Sequence, residues 1–106
     1  MAQRPFGTKS VVMAADGWVI NAPNKIAYSL IVAFEAGAVA GDRVGLRDGG
    51  PTGRILAYII IPNMVTAING TLSIPLGRYG INFSGGIYYT ELVTTAGHIW
   101  TTVAYD

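Results

Sequence analysis

The stretch Lys25-Ile26-Ala27-Tyr28-Ser29-Leu30-Ile31-Val32-Ala33-Phe34-Glu35 decides the fold. Ile26, Tyr28, Leu30, Val32 and Phe34 share one side of an extended chain, and Lys25, Ala27, Ser29, Ala33 and Glu35 share the other. A period of two marks a strand with one side toward a core, because successive side chains of extended backbone point to opposite faces. Pro23 and Asn24 break the pairing just before it.

Downstream, Phe34 to Ala40 is the best helix candidate, but Gly37 and Gly41 favour a loop. Asp42 to Asp48 repeats the alternation, with Val44 and Leu46 inward and Arg43 and Arg47 outward. Asp48-Gly49-Gly50-Pro51 is a turn by its chemistry: glycine tolerates positive φ and proline presets the next residue. Gly53 to Ile61 follows with two apolar faces, Ile55, Ala57, Ile59 and Ile61 on one and Leu56, Tyr58 and Ile60 on the other. Such a strand is covered on both sides. It is either a central strand under a loop or a subunit contact.

Pro62-Asn63 ends that strand, and Met64 to Asn69 is a connector. Gly70 to Leu76 aligns Leu72, Ile74 and Leu76, and Pro75 restricts it to an edge or a bulge. Gly77 to Phe83 continues, and Ser84-Gly85-Gly86 turns the chain. Ile87 to Thr95 and His98 to Tyr105 form a final pair around Ala96-Gly97, and Ile99, Thr101, Val103 and Tyr105 share a face. Upstream, Lys9 to Ala15 and Trp18 to Asn21 flank a turn at Asp16-Gly17. About eight strands at this spacing predict an all-β, antiparallel β-sandwich or jelly roll. The 106 residues suit one domain, with residues 1–17 as an N-terminal arm and first strand and 18–106 as the sandwich.

Composition narrows the function. Apolar residues make up 51% of the chain and charged residues 12%, where an ordinary soluble domain has roughly 25% charged. A small domain has much surface to cover, so this chain exposes apolar surface as a monomer. The longest strongly apolar runs, Ala27 to Phe34 and Ile55 to Ile61, are far short of a spanning helix. Residues 1–10 lack the apolar core of a signal peptide. Burial against other subunits is the remaining expectation. A net charge of +1 gives no reason to expect nucleic acid or an anionic membrane as partner.

No pattern points to catalysis or to a cofactor. The chain has no cysteine and one histidine, His98, too few donors for a zinc site. Ser10, Ser29, Ser73 and Ser84 lack a nucleophile elbow. Asp42 and Asp48 flank one strand, about 20 Å apart, too far for a glycosidase pair. Glu91 interrupts an apolar face and is expected to pair with Arg78 or Arg54, or to point to solvent. The glycine-rich turn lacks the ending of a phosphate loop and opens no helix.

The expected contact surface combines Leu56, Tyr58 and Ile60 with the aromatics Tyr88 and Trp100, which fall opposite their strands' core residues. Arg43, Arg47 and Arg54 cluster around the turn with Asp42 and Asp48, a salt-bridge surface suited to registering one subunit on another. Exposed aromatics suit either a protein interface or sugar stacking.

Landmarks along residues 28–105 resemble a group of small bacteriophage virion proteins. They are Tyr28-Ser29-Leu30-Ile31-Val32, Ala40-Gly41-Asp42-Arg43-Val44-Gly45-Leu46-Arg47-Asp48-Gly49, Gly53-Arg54-Ile55-Leu56-Ala57, Phe83-Ser84-Gly85-Gly86-Ile87-Tyr88-Tyr89 and Thr102-Val103-Ala104-Tyr105. These are turn and core motifs, and residues 1–17 do not align. The resemblance implies a β-sandwich or jelly-roll virion subunit, often a homotrimer, with no catalytic residues to carry over. It implies a head decoration (cement) protein that bridges coat proteins, found in the virion and assembled in the host cytoplasm. A fibre or baseplate subunit is the second implied role. A carbohydrate-binding module using Trp100 and Tyr88 is the competing reading of the residues.

Overall fold

The computed structural model describes residues 9–34, 42–60, 70–93 and 99–106. They form nine strands: β1 (Lys9–Met13), β2 (Gly17–Ile20), β3 (Lys25–Phe34), β4 (Arg43–Asp48), β5 (Arg54–Ile60), β6 (Gly70–Pro75), β7 (Ile81–Phe83), β8 (Ile87–Val93) and β9 (Ile99–Tyr105). Every pairing is antiparallel. One sheet has the order β1-β9-β3-β6, with β7 also on β3; the other has the order β2-β8-β4-β5. The consecutive pairs β1/β2, β3/β4, β5/β6 and β8/β9 each straddle the two sheets. That winding makes the sandwich a jelly roll.

The core lies between the sheets. Leu30, Val32 and Phe34 of β3 and Ile99, Val103 and Tyr105 of β9 meet Val44 and Leu46 of β4, Ile87 and Tyr89 of β8, and Ile59 of β5. A polar contact crosses it: the Thr101 hydroxyl donates to the Tyr89 hydroxyl oxygen at 3.0 Å. Tyr89 in turn donates to the Glu91 carboxylate at 3.4 Å. Burial pushes the Tyr89 phenol well above its ordinary value, against the opposing bond from Thr101, and the Glu91 and Asp16 carboxylates add to the rise.

Three expectations change in the folded chain. β3 does not keep one alternation throughout. Against β9, Ala27 pairs with Tyr105 and Ser29 with Ala104, so Tyr28 is an extra residue. An extra residue reverses the facing of what precedes it. Ala27 is therefore fully buried, while Ile26 and Tyr28 are half-buried. Second, Gly70 to Phe83 is two strands. Pro75 pairs with Ser29 and Ile81 with Ala27, so residues 76–80 bulge from the edge opposite Tyr28 alone. The Leu76 N–H donates to the Tyr28 carbonyl at 3.0 Å, and Gly77 and Gly80 supply the positive φ values this excursion needs. β6 is a sheet edge, as Pro75 requires. Third, β5 is an edge strand, not a central one. The loop expected at Phe34 to Ala40 lies, apart from Phe34, outside the described residues, as do the Met64 to Asn69 connector, Ile61, His98 and residues 1–8 of the arm.

Candidate interaction surface

The outer face of the second sheet is built in cross-strand rows. Trp18 of β2 pairs with Tyr88 of β8, Tyr88 with Arg47 of β4, and Arg47 with Ile55 of β5. The next row runs from Thr90 through Gly45 to Tyr58, and a third joins Arg43 to Ile60. Tyr58 is 56% exposed and Ile60 46%. These are large apolar side chains on the outside of a small domain, and they sit on its edge strand.

Ile55 belongs to this face because β5 also carries a bulge. Leu46 pairs with Ala57 and Arg47 with Ile55, leaving Leu56 as the extra residue. Leu56 packs against the core, and Ile55 turns outward beside Tyr58 over Gly45. Ile55 thus joins the expected Tyr58 and Ile60 on the outward face, and Leu56 both packs against the core and borders that face. A Cβ on Gly45 would stand 2.8 Å from the Ala57 carbonyl oxygen and 3.0 Å from Tyr58 Cβ. Glycine thus lets β5 approach and lets Tyr58 lie across it. Ile55, Leu56 and Tyr58 join Arg43 and Leu92 around an open depression of about 320 Å³.

The expected arginine cluster separates. Arg43 and Arg47 lie toward opposite ends of β4, about 13 Å apart along the strand. Arg47 donates to the Gly53 carbonyl at 2.9 Å, and its Nε is buried with no hydrogen-bond partner. It holds the turn that follows β4. Asp48 serves the same junction: its carboxylate accepts from the Gly85 N–H at 2.7 Å and from the Ser84 hydroxyl at 3.1 Å. The Gly49 N–H reaches the Gly86 carbonyl at 3.1 Å. The two glycine turns, 48–53 and 84–86, therefore dock on each other. A Cβ at Gly85 would stand 2.9 Å from Gly49 Cα. Trp18 covers Gly50 and Gly86 and meets Tyr88 edge to face, with centroids 5.5 Å apart.

Glu91 stands in register with Val44 of β4. Arg54 stands in register with Asp48 near the far end of β4, and Arg78 lies over the Tyr79 ring at 5.8 Å. The backbone N–H of Glu91 donates to Asp16 at 2.7 Å, and the Thr90 hydroxyl reaches the same carboxylate at 3.4 Å. These bonds tie the β1–β2 turn to β8. Asp42 is 2% exposed and lies next to Arg43 at the opposite end of β4 from Asp48.

Comparison with known protein families, curated proteins and solved structures gives no match.

Trp100 and Tyr88 both point outward, but in opposite directions. Thr101 and Tyr89 meet across the core, so their strand neighbours Trp100 and Tyr88 face away from it on different sheets. Trp100, 37% exposed, lies on the outer face of the first sheet, where Val12 is 63% exposed and Ile31 36%. Val12, Thr102 and Ile31 form one row there, and Trp100 and Ala33 another. The strand neighbours of Val12 and Ile31 turn inward: Val32 is buried in the core and Val11 packs against it. Among the described residues no three His, Cys, Asp or Glu side chains come together as a metal site.

Proposed function

We propose that this chain is a structural bacteriophage virion subunit, a decoration protein that self-associates and stabilises a capsid by bridging coat proteins. One observation carries the reading: both outer faces of the sandwich expose large apolar side chains, Tyr58 and Ile60 on one and Val12, Ile31 and Trp100 on the other. A two-faced subunit gains from neighbours on both sides, which is what bridging requires. Several weak contacts repeated over a symmetric shell sum to tight binding. The motif resemblance supports the same reading, and its glycine motifs here form the docked turns at 48–53 and 84–86.

Jelly rolls serve virion proteins and sugar-binding proteins alike, so the fold does not choose between them. A sugar platform built from Trp100 and Tyr88 loses its basis, because those rings face away from each other. A fibre or baseplate role would use the same faces and differs in location within the virion. Light scattering over a dilution series tests the proposal. It expects a closed oligomer, with Ile60→Asp giving soluble monomers. A wild-type monomer at high concentration would remove the self-association on which the proposal stands.

A further inference from the structure

We propose that β5 pairs with β5 of a second copy, antiparallel about a two-fold axis centred on Ile59, so that the second sheet continues through two subunits. This rests on the self-assembly reading above and names its contact. β5 pairs with β4 on one side and with no other described strand. An open edge offers unpaired backbone donors and acceptors, and proteins block it with short strands, bulges, proline or charge. Two of the other described edges carry such devices throughout. β6 ends in Pro75 and gives way to the 76–80 excursion, and β2 is four residues long with a bulge. β1 is a five-residue strand that opens on Lys9 and, like β5, is uncharged and in unbroken register beyond its charge. In β5 the bulge at Leu56 and the charge at Arg54 come early. Ala57-Tyr58-Ile59-Ile60 beyond them is uncharged and runs in unbroken register with β4.

The occupant is a second copy because the strand complements itself. Facing residues of an antiparallel pair lie on the same side of the sheet, so the outward Tyr58 can meet only an outward residue. Centring the pair on Ile59 sets Tyr58 against Ile60 of the second copy, and does so twice. Aromatic against β-branched is a favoured cross-strand pair, and it covers the two exposed apolar side chains of the strand together. Ile59, 6% exposed, meets its own copy and extends the core. Parallel pairing would place the two Arg54 side chains side by side, about 5 Å apart. The antiparallel pair holds them about 33 Å apart, beyond the range of screened repulsion.

A two-fold contact gives even-numbered assemblies, unlike the trimer implied by the motif resemblance. Tyr58→Lys and Ile60→Glu, each purified separately, are compared with wild type by sedimentation velocity. Wild type should dimerise, and each variant alone should associate about tenfold or more weakly. An equimolar mixture should recover the dimer, since the introduced lysine meets the introduced glutamate while the second Tyr58–Ile60 pair stays native. Hydrogen exchange on wild type gives a readout independent of the variants: among Tyr58 to Ile60, the amides that point away from β4 should be protected in the assembly and lose protection on dilution. A wild-type trimer, a dimer indifferent to both substitutions, failure of the mixture to recover, or exchange at β5 unchanged by dilution would each overturn the β5 contact while leaving self-assembly standing. A wild-type monomer throughout would overturn both.

Discussion

β5 leaves the Asp48–Gly53 turn at Arg54 and ends at Ile60, and its two ends meet different demands. At the start, polar groups are closed on one another: Asp48 holds the 84–86 turn, and Arg47 holds the Gly53 carbonyl. At the other end, Tyr58 and Ile60 stand largely in solvent. The polar residues of the Asp-Gly-Gly turn, with Arg47, are committed to folding. The apolar residues at the end of the strand are left outside. In a chain so poor in charge, polar groups are scarce enough to be used for joining turns, and apolar side chains are plentiful enough to remain for neighbours.

The contrast can be broken most forcefully at Gly53. A Cβ there would lie 1.8 Å from the Asp48 carbonyl oxygen, so Gly53→Ala must move backbone. It should destabilise the fold by about 3 kcal/mol or more in denaturant unfolding. Asp48→Ala comes next. It leaves the Gly85 N–H and the Ser84 hydroxyl without their acceptor and should cost about 1–3 kcal/mol, with Asp48→Asn costing less because one acceptor oxygen remains.

Tyr89→Phe tests the closed contact inside the core. It removes the acceptor of the buried Thr101 hydroxyl and should cost about 1–2 kcal/mol. Tyr89 also makes stability fall at high pH. Its folded pKa is raised, so the unfolded chain gives up the proton first, from about pH 10. Stability attributable to this group therefore holds below that pH and declines above it. Urea melts from pH 8 to 11 should show a shallower alkaline decline in the phenylalanine variant. The smallest effect on stability belongs to the open end. Ile60→Asp should shift monomer stability by less than about 0.5 kcal/mol, while changing the oligomer. A large loss of monomer stability would mean that Ile60 supports the fold and would erase the contrast.

Much of this architecture was legible in the sequence because strands and turns are local. Period-two patterns located β3, β4 and β9, placed Val44 and Leu46 inward, and put Tyr88 and Trp100 opposite their core neighbours. Pro75 marked an edge because a proline has no N–H to pair. Part of the candidate surface was legible too: Tyr58 and Ile60 are exposed, while Ile55 joins them through the bulge at Leu56 and Arg47 serves a turn.

Tertiary structure decided the rest, for reasons that lie in pairing between distant segments. The extra residues at Tyr28 and Leu56 appear only against their partner strands, and each reverses which side chains face the core. The docking of two glycine turns joins residues far apart in the chain, as in the Asp48–Gly85 bond. That Trp100 and Tyr88 face apart follows from their strands lying in different sheets. Alternation along one strand says that a side chain points out. Which surface it joins depends on the neighbours that the winding of the chain supplies.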